Sequence, residues 1–191
     1  MGTMFLQEVE ASVVLADVRD FEPLSQQLGP VELGLALSAF YEHLGAIIEN
    51  NHGRIVKFIG DGVLGVFIGP DSTSHRLRVL QTVRDAVQSR QQFLDENVRL
   101  KLPVLDYAIG ATSGNLLAGE IGTEKLRFYD VLGQPVNAVF RLTSLATRRN
   151  VSNLVAADTF EGADKAKRPP AVETDVVEIG TDKLRLFKIE G

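Results

Sequence analysis

Hydrophobic positions along this chain alternate between short continuous runs and helical spacing. Residues 11–16 (ASVVLA) form an apolar run that stops at Asp17 and predicts a buried strand. Across residues 30–50, Val31, Leu35, Phe40, Leu44 and Ile47 fall close to the helical period. Pro30 suits the first turn of that helix and Gly53 lies just past its end. Residues 54–67, RIVKFIGDGVLGVF, place two apolar, β-branched runs around Gly60-Asp61-Gly62, the pattern of a tight β-hairpin. A second helix is predicted over 72–97, with Leu77, Leu80, Val83, Val87 and Phe93 along one side and Ser72, Thr73 or Ser74 as N-cap. Residues 104–112 and 116–121 read as strands around a Ser113-Gly114-Asn115 turn. A third strand ends near Leu132, a helix covers 135–147, and a short strand covers 153–157. The Pro- and Lys-rich stretch 162–170 reads as a surface loop, and 176–179 with 183–189 as a closing pair of strands.

The opening order β-α-β-β-α-β is that of the split βαβ, ferredoxin-like arrangement. Hairpins mixed with crossover helices favour an α+β sandwich, here with extra C-terminal strands, over a doubly wound parallel sheet. The 191 residues, 45% hydrophobic and 24% charged, suit one domain over 1–191, with 1–10 as an N-terminal extension. A chain without cysteine excludes disulfides and thiolate metal sites and favours the cytoplasm. The net charge of −5 argues against nucleic acid as a partner. The N-terminus MGTMFLQEVE has neither a basic region nor a long apolar stretch, so no signal peptide, membrane span or membrane contact is expected from this segment. Its Met1-Gly2 start resembles a myristoylation motif, but position six is Leu6.

Turn chemistry explains the glycines of the hairpin but not a carboxylate, Asp61, at its tip, nor Lys57 on the strand entering it. Two readings stand: a solvated turn aspartate with a snorkelling lysine, or placed functional groups. Asp17 also closes a strand, and a first strand beside the hairpin would bring the two carboxylates together. Close carboxylates repel unless a cation lies between them. With no Cys and three His, a hard, oxygen-ligated ion such as Mg²⁺ or Mn²⁺ is the natural partner. His43, His52 and His75 lack metal-ligand spacing and read as surface residues. Asn137 and Arg141 are i and i+4 on one predicted helix, among Val136, Val139, Phe140 and Leu142. They are either solvated or aimed into a cleft.

The segments ADVRDF, IVKFIGDGVLGVF, GNLLAGEIG and YDVLGQPVNAVFRL, in this order, resemble the catalytic domain of the class III nucleotidyl cyclases. The resemblance spans about residues 11–189. It implies that Asp17 and Asp61, with Val18 beside them, bind two divalent metal ions, Mg²⁺ or Mn²⁺. Lys57 and Asp130 match the pair that recognises adenine, where guanylyl cyclases usually carry a glutamate and a small residue such as cysteine. Asn137 matches the residue that orients the ribose, and Arg141 the one that stabilises the pentavalent phosphate. The implied activity is conversion of ATP to cyclic AMP and pyrophosphate. The implied assembly is a head-to-tail homodimer, with metal aspartates from one chain and base, ribose and phosphate residues from the other. Domains of this kind are usually controlled by a regulatory domain, here one outside this chain.

The turn after the first aspartate departs from the family pattern, with Asp20 and Glu22 where Gly and Thr are common. The backbone amides of Phe21 and Glu22 remain as phosphate donors. Where many members carry a lysine in the closing hairpin, Ile179 precedes Gly180, and Lys183 is the nearby substitute. Lys125 offers a further phosphate cation or an exposed turn residue. Two alternatives accompany the adenylyl cyclase reading: guanylyl or mixed specificity, and a weakly active or inactive nucleotide-binding regulatory module.

Overall fold

The chain's strands and helices follow its hydrophobic runs closely but extend several of them. A computed structural model describes residues 5–69, 72–174, 176–179 and 182–191, without the side chains of 5, 72–73, 177–179 and 182–183. The elements are β1 (Phe5–Val18), α1 (Phe21–Gln27), α2 (Pro30–Asn50), β2 (Arg54–Ile59), β3 (Gly62–Ile68) and α3 (Ser72–Arg99). After them come β4 (Tyr107–Gly122), β5 (Arg127–Leu132), α4 (Gln134–Arg148), β6 (Asn153–Ala156) and α5 (Ala157–Glu161). Four short strands close the chain: β7 (Ala171–Glu173), β8 (Val177–Ile179), β9 (Asp182–Leu184) and β10 (Leu186–Ile189).

The sheet runs β2-β3-β1-β4-β6-β10-β7, with β5 also pairing β4. Among its first four strands each runs antiparallel to its neighbour, as the ferredoxin-like arrangement requires. Side chains alternate between the faces of β1. Val14, Ala16 and Val18 join the core beneath α2 and α3, with Phe40, Leu44, Ile48, Leu80 and Val83. Ala11, Val13 and Leu15 pack on the opposite side with Val131 and with Val139 of α4. An α+β sandwich results.

Pro30 is the first residue of α2, and the Glu32 carboxylate accepts the Gly29 N–H at 3.1 Å, which closes the helix start. Gly53 is needed after it, because a Cβ there would lie 2.5 Å from the Phe67 ring. The buried stripe of α2 is Ala36, Phe40, Leu44 and Ile48, whereas Val31 and Leu35 stand exposed. Each helical residue turns about 100°, so Leu35 points well away from the ridge that Ala36 begins. By length and a mean hydropathy of 1.3 this helix is apolar enough to cross a membrane, yet its stripe lies in the core.

Four further expectations change. The turn at Ser113-Gly114-Asn115 is continuous strand, because the fourteen-residue β1 pairs across it: Ser12 with Ser113, Ala11 with Gly114 and Glu10 with Asn115. The closing strands separate, since β8 and β9 form a small sheet while β10 pairs β6 and β7. His75 is fully buried, with Nδ1 2.8 Å from the Ser12 hydroxyl, and His43 is half-buried, stacked on Phe93 with ring centroids 4.4 Å apart. Only His52 is on the surface. Ser72, Thr73 and Ser74, expected as the N-cap of α3, lie within the helix itself, and Gly180 falls outside the described residues.

Candidate active site

The end of β1 and the turn between β2 and β3 meet at one point of the sheet. Asp17 pairs with Gly62, so Asp61 at the turn stands beside the strand end. The Val18 N–H donates to the Asp61 carbonyl at 3.2 Å and ties the two segments together. Val18 points its side chain into the core, which leaves only its main chain for a ligand. Burial, with a smaller contribution from the charge of Asp61, pushes the Asp17 carboxyl up to about 6. Asp61 is also raised by burial, against a hydrogen bond from its own backbone N–H. Gly62 makes room for this arrangement, since a Cβ there would sit 3.0 Å from Asp17 Oδ1.

Two half-buried carboxylates that resist ionisation fit a divalent cation of the hard, oxygen-seeking kind. Among the described residues no group of three or more His, Cys, Asp or Glu gathers. Further ligands therefore have to come from the main chain, water or a substrate.

Lys57 and Asp130 meet as well. Lys57 Nζ donates to Asp130 Oδ2 at 2.7 Å, while the Val131 N–H donates to Oδ1 at 2.8 Å. The carboxylate side chain is 8% exposed and the lysine 39%, so the acid is fixed and the ammonium faces outward. A register shift between Ile55 and Lys57 on β2 sets the lysine opposite Leu64. Next to the pair, the Arg54 guanidinium lies 3.5 Å from the centroid of the Tyr129 ring.

Asn137 and Arg141 stand on the exposed side of α4 and make no side-chain hydrogen bond or ion pair among the described residues. Phe140 between them is 38% exposed rather than packed. The inner side of α4 is held down by Thr143, whose hydroxyl bonds the Val139 carbonyl at 2.8 Å and reaches the Leu15 carbonyl at 3.3 Å.

Phe21 and Glu22 begin α1, so their amides belong to the unpaired first turn of a short helix. Asp20 precedes them in a left-handed conformation, φ 50°, and both Asp20 and Glu22 are exposed. Lys125 lies beyond Gly122, past the opposite end of β4 from the strand pair Asp17–Ala108, so it is remote from Asp17 in the same chain. Lys183 lies on β9, and its side chain is outside the described residues.

The sequence reading did not single out Arg19 or Tyr41. Arg19 joins Asp106 at 3.3 Å, donates to the Thr147 and Val151 carbonyls, and so fastens the end of β1 to the end of α4. Tyr41 donates to the Gly60 carbonyl and stacks on Phe58. Both contacts join distant segments, so no local pattern marks them.

The sequence profile of the adenylate and guanylate cyclase catalytic domain matches residues 6–173. An uncharacterized protein of Mycobacterium tuberculosis is 26% identical over 162 residues, 85% of this chain and 29% of that protein. The chain thus spans less than a third of the length of the curated relatives it matches. A bacterial light-regulated adenylyl cyclase has the same fold, with TM-score 0.86 and 21% identity over 98% of this chain and 54% of that one. So do adenylyl cyclase CyaB from P. aeruginosa, with TM-score 0.82 and 20% identity over 97% and 96% of the two chains, and guanylyl cyclase Cya2, with 0.80 and 24% over 97% and 93%. With the profile covering most of its length, the chain belongs to the class III adenylyl and guanylyl cyclase catalytic domain family.

Proposed function

We propose that this domain is an adenylyl cyclase, converting ATP to 3′,5′-cyclic AMP and pyrophosphate at sites shared between two copies of the chain. The observation that carries the reading is the Lys57–Asp130 pair, 2.7 Å apart. An ammonium donor beside a carboxylate acceptor suits the N1 acceptor and the N6 amino donor of adenine. Guanine presents an O6 acceptor and an N1 donor, the reverse order, and the pair discriminates against it.

In the reaction the ribose 3′-oxygen attacks the α-phosphorus, its proton passes to solvent water, and the bond to pyrophosphate breaks. Asn137 holds the sugar so that this oxygen lies in line with the leaving group. Arg141 places a permanent cation where negative charge develops on the phosphate. Asp17 and Asp61, with the Val18 main chain, would hold two divalent ions, Mg²⁺ or Mn²⁺, which supply Lewis-acid activation of the hydroxyl and neutralise the triphosphate. The Phe21 and Glu22 amides face the phosphates from the start of α1, and Lys183 or a partner's copy of Lys125 adds positive charge.

Asn137 and Arg141 lack partners among the described residues of their own chain, which supports a head-to-tail homodimer that completes each site. The light-regulated adenylyl cyclase of the same fold, of which this chain covers 54%, supports control by a regulatory domain outside this chain. We place the domain in the cytoplasm as part of the same proposal, where ATP would be available to it.

One observation favours a second reading. Asp20 and Glu22 stand exposed at the start of α1, where they would repel a triphosphate, as in a nucleotide-binding regulatory module of low activity. Measuring cyclic nucleotide formed from ATP and from GTP, with each metal and across protein concentration, tests both. The adenylyl cyclase reading expects cyclic AMP, little cyclic GMP, and specific activity that rises with concentration. Preference for GTP overturns it, and nucleotide binding without cyclic product supports the module instead.

A further inference from the structure

The turn that carries Asp61 is braced from outside the hairpin. Tyr41, on α2, donates its hydroxyl proton to the Gly60 carbonyl, which can only accept. Its ring lies on Phe58, with centroids 4.4 Å apart and planes 28° from parallel. The helix behind it is anchored by the buried Phe40 and Leu44.

The Gly60 carbonyl and the Asp61 N–H belong to one planar peptide. The Asp61 Cα, from which the carboxylate side chain branches, lies in the same plane. A single rigid plane therefore receives the Tyr41 hydroxyl at its carbonyl and carries the Asp61 side chain at its far corner. Gly60 itself takes φ 58°, and a Cβ there would meet nothing within 4 Å, so the turn has no side-chain packing of its own at that residue. The other tie is the Val18 N–H to the Asp61 carbonyl.

We propose that Tyr41 is a positioning residue for Asp61: it fixes the peptide plane from which the metal-binding carboxylate is aimed. The inference rests on the reading of Asp61 as a metal ligand. It predicts a role in metal affinity for a residue that acts through a main-chain carbonyl.

The test follows Mn²⁺ binding through the spectroscopic signal of the free ion, with a non-cyclisable ATP analogue present, in the wild type, Tyr41→Phe and Asp61→Asn. Tyr41→Phe keeps the stack on Phe58 and removes only the hydroxyl. It is expected to weaken Mn²⁺ binding roughly three- to tenfold, the span of one lost neutral hydrogen bond. The melting temperature should fall by no more than about 2–4 °C, and the Mn²⁺ concentration for half-maximal activity should rise by the same factor as the binding constant. Activity at saturating Mn²⁺ should return close to the wild-type level, which a general structural defect would not allow. Asp61→Asn should weaken binding far more. If Asp61→Asn is weakened and Tyr41→Phe binds like the wild type, the positioning role is overturned while the metal reading stands. If Asp61→Asn also binds like the wild type, the metal reading itself fails and takes the inference with it.

Discussion

Lys57 and Asp130 are joined across 2.7 Å although 73 residues separate them, and the acid is the more deeply buried partner. The pair is therefore asymmetric under substitution. Lys57→Met leaves a buried carboxylate with one backbone donor, and unfolding in urea should show a loss on the order of 1–3 kcal/mol. Lys57→Glu alone sets two carboxylates face to face and should be worse. Adding Asp130→Cys relieves that repulsion and reverses the donor–acceptor order, so the double variant should prefer GTP over ATP. Equal turnover ratios for the double variant and the wild type would show that the pair does not select the base.

Shared sites make a second expectation numerical. Asp61→Ala and Arg141→Ala should each lower turnover by orders of magnitude without unfolding the domain. Mixed in equal amounts, about half the dimers are heterodimers, and each carries one intact site of two. Recovery to about a quarter of wild-type activity is expected once the chains exchange. Assay of the mixture over time, without recovery, would remove the head-to-tail arrangement from consideration.

Local sequence was most informative where local physics decides. Pro30 at the first helical turn and Gly53 after the last bound α2 correctly, and Gly60-Asp61-Gly62 marked the hairpin. The juxtaposition of Asp17 and Asp61 was legible too, because strand order alone brings β1 beside the hairpin. Long-range pairing was not legible. Ser113-Gly114-Asn115 has turn composition but stays extended against Glu10, Ala11 and Ser12. His75 looks polar in sequence, yet Ser12, 63 residues away, supplies its buried partner. For the site, spacing alone left Asn137 and Arg141 ambiguous. Their roles came from the resemblance, and their exposed position on α4 agrees with a face open to another molecule.

His43 gives the fold an acid limit. Its Nε2 lies 3.1 Å from the Tyr107 hydroxyl, which donates to the Ala86 carbonyl at 2.8 Å, so His43 is the donor and its other nitrogen is bare. Burial lowers its pKa from 6.5 to about 4. Between these values the unfolded chain binds the proton and the folded one does not, so stability falls as pH drops from 6.5 towards 4. Part of the ring stays solvated, so the contribution lost is on the order of 1–2 kcal/mol. Asp17, with its carboxyl raised to about 6, takes up a proton on folding over the same range and opposes this loss. The His43 share is therefore the difference between the wild type and His43→Gln in urea unfolding at pH 7 and pH 4.5. An equal acid loss in both would assign it to other groups.

Gly110 connects the sheet to the position of Arg141. A Cβ there would lie 2.4 Å from Thr143 Oγ1, 2.8 Å from the Val139 carbonyl and 2.9 Å from the Thr143 nitrogen. Two of these three atoms are helix backbone and cannot rotate aside, so Gly110→Ala has to lift α4 from β4. Overpacking of this kind typically costs about 1–3 kcal/mol. The lift also moves Asn137 and Arg141, which ride on the outer face of the same helix. Turnover should therefore fall more than stability alone requires, while Mn²⁺ binding at Asp17 and Asp61 is kept. Thr143→Ala removes the closest atom and should restore part of the activity of Gly110→Ala. Activity of Gly110→Ala equal to the wild type would mean that α4 can shift without consequence for the reacting phosphate.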